Sequence, residues 1–343
     1  METKNNGLSG LVNLGNTCFI NSCMQILSHT YELNNILNDD KIVNKLNKIP
    51  ESILLLEWNN LRKMLWNTNC VISPGKFLNI IHKIAKIKNI EIFTGYSQND
   101  LPEFLLFVID CFHMAFLREI NMTITGNCEN KTDEIAIKCF EMIKQRYSKE
   151  YSEIWNIFYA VHISKIISID TDETYTITPE PYFMIDLPIP SNNKLPSLIN
   201  CFDLYVEGEI LENECAWFNE VTSQKENVKK QIQFWSFPSI LVISFKRFNS
   251  QNKKNQILIS FPLENLNLSK YVIGYKKHSY IYDLYGVCNH IGNVLGGHYT
   301  SYIKNENNKW YHFNDTDVTE ISESLINTDK AYCLFYRKRP VEK

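Results

Sequence analysis

Apolar residues recur at helical spacing through the first 160 residues of this 343-residue chain. From about residue 180 they give way to short β-branched and aromatic runs. Few architectures accept that order: helices first and strands afterwards predict an α+β fold with an antiparallel sheet. Residues 19–29 put Phe19, Ile20, Cys23, Met24, Ile26 and Leu27 on a face wide enough for burial on most sides. "ESILLLEWNNLRKMLW" (51–66) is amphipathic, and "SPGKFLNIIHKIA" (73–85) offers Ser73 as N-cap ahead of Pro74. "DLPEFLLFVIDCFHMAF" (100–116) spaces Asp100 and Glu103 as a capping box. Strands are expected at 182–190, 239–248, 279–290, 297–304, 309–315 and 331–338.

Charge and cysteine usage narrow the partners. A net charge of -3 provides no basic field, which argues against nucleic acid and anionic membranes. No stretch is apolar enough to span a bilayer or serve as a signal peptide. The ten cysteines are scattered, and no pair has the two-residue gap of a zinc knuckle. Free thiols in a reducing, intracellular setting (cytoplasm, nucleus or both) are therefore expected, with no metal and no cofactor.

Two of those cysteines sit in "GNTCFINSC" (15–23). Cys18 falls at the first turn of a helix, where the dipole and unpaired N–H groups favour the thiolate. The alternative is a small buried hydrophobe. Cys23, five residues on, lies roughly 140° around the helix and cannot share that environment. Among the histidines, His29, His82 and His113 fall on helices and read as surface or packing residues. His298 follows Gly296 and Gly297 directly and begins an alternating strand, so its ring can be held rigidly beside an approachable backbone. "WYHFNDTD" (310–317) places Asn314 and Asp315 at the end of the next strand, candidates to orient the imidazole. Cysteine nucleophile, histidine base and Asn/Asp orienter together make a papain-like hydrolase triad.

These segments resemble the ubiquitin-specific protease family. "GLVNLGNTCFINSCMQIL" (10–27) is similar to its cysteine box, and "YDLYGVCNHIGNVLGGHYTSYIKNENNKWYHFNDTDV" (282–318) to its histidine box. "YSQNDLPEFLLFVID" (96–110), "FPSILVISFKRF" (237–248) and "AYCLFY" (331–336) match further segments, in the family's order. The resemblance implies one papain-like catalytic domain over 8–340. A helical thumb would occupy 8–150, fingers and part of the palm 155–275, and the remaining palm 276–340. It implies a monomeric deubiquitinase acting on ubiquitin and ubiquitinated proteins, with Cys18 as nucleophile and His298 as base. Asn314 would orient the imidazole, with Asp315 assisting or replacing it. Asn13 would donate to the oxyanion, unless it is only a turn residue near Gly15. Asp100 would meet an arginine of the ubiquitin tail in a channel with Gln98 and Tyr299. Gly296 and Gly297 would keep that channel open to a Gly-Gly tail. Two other readings stand beside this one: a protease for another ubiquitin-like modifier, or an idle ubiquitin-binding scaffold.

One departure from the family is visible. Many members carry paired cysteines that bind zinc in the fingers, but "ISIDTDETYTI" (167–177) has none and "ENECAWFNEV" (212–221) only Cys215. Ordinary packing is expected in place of the metal.

Overall fold

The periodic first half folds as helices. A computed structural model of the chain describes residues 6–191, 194–294 and 296–340. It places α1 at Cys18–Ser28, α2 at Tyr31–Leu37, α3 at Asp40–Val43 and α4 at Pro50–Leu65. α5 at Gly75–Ile87, α6 at Leu101–Phe116, α7 at Lys131–Glu150 and α8 at Glu153–Phe158 follow. A short parallel pairing of β1 (Gly10–Leu11) with β2 (Val71–Ile72) ties the segment before α1 to the α4–α5 connection. α1 is buried along its whole length, as its wide apolar face requires. It packs between α6 and the sheet.

Two helix starts differ from expectation. α5 begins at Gly75 with Pro74 in the N-cap position, so Ser73 caps nothing. Asp100 holds the N-cap position of α6 with extended backbone, but its side chain makes no capping bond. A stronger competitor, described below, draws that carboxylate away.

After the short β1 and β2, the main run of strands begins at 160, earlier than the sequence pattern suggested. β3 (Ala160–Ser168), β4 (Thr174–Tyr182) and β5 (Met184–Leu187) precede α9 (Leu198–Glu207). β6 (Glu209–Leu211), β7 (Trp217–Asn219), β8 (Gln224–Glu226), β9 (Val228–Phe234) and β10 (Ile240–Phe245) come next. β11 (Leu266–Asn267), β12 (Ile281–Asn293), β13 (Gly296–Lys304), β14 (Trp310–Asn314), β15 (Asp317–Ile321) and β16 (Ala331–Lys338) complete the set. β4 carries Pro179 and Pro181, which hide its strand character, and the prolines are tolerated because β4 is an edge.

The main sheet runs β15-β14-β13-β12-β16-β10-β5, with β11 added on β12. It is antiparallel except where β5 pairs parallel with β10. Alternation along β10 divides the interior in two. Ile240 and Val242 face the helices, while Leu241, Ile243 and Phe245 join a second core that includes Leu198 and Phe202 of α9. A separate sheet, β4-β3-β9-β6, and the β7–β8 hairpin project from this body. At that hairpin Tyr175 stacks on Trp217 with ring centroids 5.7 Å apart. Glu226 accepts from Asn219 (2.9 Å) and Thr222 (2.6 Å) there, and Cys215 is exposed. Among the described residues no three His, Cys, Asp or Glu side chains converge to hold a metal, and no helix is long and apolar enough to cross a membrane.

Candidate active site

The chain turns sharply into α1. Asn13 Oδ1 accepts the backbone N–H groups of Gly15 and Thr17, both at 3.1 Å, and the Thr17 hydroxyl at 3.3 Å. Gly15 (φ 102°) and Asn16 (φ 55°) take left-handed backbone to make the bend. Cys18 follows as the first residue of the helix and is 3% exposed. Burial pushes its thiol above the ordinary value. The N–H of Tyr299 and those of Phe19 and Cys18 itself pull the other way, while the Asp315 carboxylate adds to the upward push. The expected dipole effect is therefore present but outweighed. Cys18 rests as a thiol and needs a base. Cys23 is sealed at 0% exposure, and burial alone drives its thiol far higher.

α1 packs against β13, the strand that carries His298, and the Tyr299 N–H acts on the Cys18 thiol. His298 Nε2 meets Asn314 Oδ1 at 2.6 Å, across neighbouring strands β13 and β14. A carbonyl oxygen only accepts, so Nε2 carries the proton and Nδ1 keeps a free lone pair. Asn314 is thus placed on the imidazole.

Asp315 is not. Its backbone is left-handed (φ 50°), and two asparagines hold its carboxylate. Oδ2 accepts from Asn13 Nδ2 at 3.0 Å and Oδ1 from Asn21 Nδ2 at 2.7 Å. Asn13 is consequently doubly fixed, its oxygen shaping the turn and its nitrogen aimed by Asp315. The turn reading of Asn13 describes real contacts. Asn21 was missed from sequence, although it stands one helical turn after Cys18 in "CFINS".

A groove of about 310 Å³ leads away from the site, lined by Gln98, Asp100, Phe248, His290, Tyr299 and Tyr332 among others. The Tyr299 hydroxyl donates to Asp100 Oδ1 at 3.0 Å, which is what takes this carboxylate from its capping role. Burial raises the Asp100 carboxyl above its usual range, against opposing hydrogen bonds from Tyr299 and Tyr332. Burial also holds the His290 imidazole at about 4, so this ring adds no positive charge to the groove at neutral pH. A second hollow of about 370 Å³ shares Asp100, Phe248 and Tyr332 and adds Asp186 and Lys246. Phe248, His290 and Tyr332 come from three distant segments, and only the fold brings them together.

Gly296 and Gly297 open β13. A Cβ on Gly297 would run into His290 Nε2 and the Ile291 carbonyl, so its bareness admits the chain's own packing. Gln98 clamps the same glycine, accepting from its N–H and donating to its carbonyl at 2.9 Å.

Comparison with known proteins places this geometry. Residues 9–336 match the family described as "Ubiquitin carboxyl-terminal hydrolase". The human protein named ubiquitin carboxyl-terminal hydrolase 2 is 32% identical over 344 residues, covering 96% of this chain and 55% of its own length. The chicken protein of that name is 31% identical over 346 residues, covering 96% of this chain and 93% of its own length. The chain spans about half the length of the mammalian relatives it matches. The SAGA Ubp8/Sgf11/Sus1/Sgf73 DUB module bound to ubiquitin aldehyde shares the fold. Its TM-score is 0.74 at 24% identity, over 100% of this chain and 72% of that one.

Proposed function

This chain belongs to the ubiquitin carboxyl-terminal hydrolase family, and from that premise we propose that it hydrolyses the isopeptide or peptide bond after the C-terminal glycine of ubiquitin. The observation carrying the reading is the 2.6 Å bond from His298 to Asn314, on the strand that packs against the helix opened by Cys18. His298 Nδ1 takes the Cys18 proton as the sulfur bonds to the glycine carbonyl carbon. The resulting oxyanion is held by the second Nδ2 proton of Asn13 and the Cys18 N–H. Its collapse breaks the C–N bond, and His298 gives its proton to the departing amine. Water then attacks the thioester, passes a proton to His298 and frees the Cys18 sulfur with the ubiquitin carboxylate. Side chains of this chain and water account for every proton. The ten free cysteines fit a reducing compartment, cytoplasm or nucleus, and the enzyme acts as a monomer on ubiquitin and ubiquitinated proteins.

Hydrolysis of a fluorogenic ubiquitin amide, beside the same amide on other Gly-Gly modifiers, tests the reading. The ubiquitin substrate should give the highest kcat/KM by about 100-fold or more. A preference for another modifier would overturn the substrate, and inactivity on all would overturn the reaction.

Asp315 serves the oxyanion through Asn13. Asp315→Ala should lower kcat about 100-fold, matching Asn13→Ala, with KM little changed. The double variant should lose no more than either alone. Additive losses would place Asp315 on another step.

Asp100 meets a cationic side chain of the ubiquitin tail in the groove. Asp100→Asn keeps the contact with Tyr299 but removes the charge, and should raise KM about tenfold with kcat within about threefold. The raised carboxyl also sets a sign. Lowering the pH protonates Asp100 sooner than an ordinary aspartate, so the parent's KM should climb on the acid side. The Asn variant's KM should stay flatter. A fall in Tm at unchanged KM would assign Asp100 a structural part only.

A further inference from the structure

A cavity of about 710 Å³, more than twice the groove at Asp100, opens between α2 and the C-terminal end of α4. Its wall includes Tyr31, Asn34, Asn38, Arg62, Lys63 and Trp66. It lies at the end of α1 opposite Cys18, because Asn34 Nδ2 (2.7 Å) and Trp66 Nε1 (3.2 Å) both donate to the carbonyl of Ser28.

Arg62 is chemically out of place there. It is 5% exposed, yet among the described residues no carboxylate stands within ion-pair distance of it. Its Nε (3.1 Å) and Nη2 (2.7 Å) rest on Asn59 Oδ1, and Nη2 also reaches Asn38 Oδ1 at 2.7 Å. All of these partners are neutral. Among the described residues Nη1 bonds to nothing, and it is not sealed from solvent. The adjoining groove, which shares Tyr31 and Glu306, behaves differently. There Arg337 pairs with Glu32 (2.7 Å), Arg339 with Asp283 (2.7 Å) and Lys304 with Glu264 (3.2 Å). A buried guanidinium without a counter-charge is costly, and the chain supplies counter-charges freely a few residues away. Lys63 adds an exposed cation at the rim, and among the described residues the Tyr31 hydroxyl in the same wall is buried without a partner. Glu306 is the one carboxylate in the wall among the described residues, and it forms no ion pair with Arg62.

We propose that this cavity binds a small polar molecule through an oxyanion, a phosphate or carboxylate group seated on Nη1 of Arg62 with Lys63 at its edge. The body of the ligand lies against Trp66, Tyr31 and the asparagines. An occupant braces the far end of α1. Through Asn6, which accepts from Asn305 at 3.1 Å, it also braces the turn that follows β13. Cys18 and His298 sit at the other ends of those two elements. The site is independent of the hydrolytic reading and stands or falls without it.

Calorimetric titration of the full chain with inorganic phosphate and with acetate, at ionic strength held constant by chloride, tests the site. Saturable one-to-one binding of phosphate alone identifies a phosphate ligand, and binding of acetate as well identifies a carboxylate. Arg62→Gln should abolish binding. Lys63→Gln and Asn67→Asp, the latter placing a carboxylate in the exposed rim, should each weaken it about tenfold at unchanged Tm. These rim variants decide the matter should Arg62→Gln fail to fold. Absence of saturable binding by either anion, or binding unaltered in both rim variants, would overturn the proposal.

Discussion

Cys18→Ala should leave a folded chain that binds ubiquitin and hydrolyses its conjugates at least about 10⁴-fold more slowly than the parent. Alanine is tolerated at the first position of α1 and removes only a sulfur, so Tm and ubiquitin affinity should hold. No other thiol can substitute. Cys23 is fully buried on the same helix, and burial holds its proton far more tightly. Cys18→Ser should fail almost as completely, because a hydroxyl is much the weaker acid and His298 removes its proton with far greater difficulty. Single-turnover rates on a fluorogenic ubiquitin substrate measure both. Retention of more than about a tenth of the parent rate in either variant would remove Cys18 from the chemistry.

His298→Ala should lower kcat about 10³-fold at neutral pH, and the raised Cys18 thiol is the reason. With its proton held above the ordinary value, little of the sulfur is thiolate at pH 7 without a base. The variant's rate should therefore climb about tenfold per pH unit from 7 to 9 as hydroxide does the base's work, while the parent stays nearly flat. Asn314→Ala should cost about 10- to 100-fold, since the imidazole remains but loses the acceptor on Nε2 that fixes its tautomer. A His298→Ala profile that does not rise with pH would mean that the thiol is already ionised.

The sequence carried much of this site because its key residues lie in short, local patterns. Cys18 at a helix start, His298 at a strand start and Asn314 at the end of the next strand are each set by neighbours within a few positions. What escaped was set by contacts between distant segments. The tie from Asn13 and Asn21 to Asp315 spans about 300 positions, and the Asp100–Tyr299 bond about 200. Asp100 illustrates the difficulty: local spacing makes it a cap, but a tyrosine from another strand makes it a groove wall. The thiol's state has a similar dependence. A helix start announces a favourable dipole, whereas the burial that opposes it depends on tertiary packing around the sulfur. Gly297 was legible as a point of close approach, but not that His290 from the neighbouring strand packs against it.

Ubiquitin bearing a C-terminal electrophile reports on the nucleophile and its substrate in one step. The chain should form a single one-to-one adduct, located by peptide mapping on Cys18, lost in Cys18→Ala and slowed in His298→Ala. An adduct on Cys23 or any other side chain, or continued cleavage of ubiquitin conjugates with no adduct at all, would contradict the assignment of position 18.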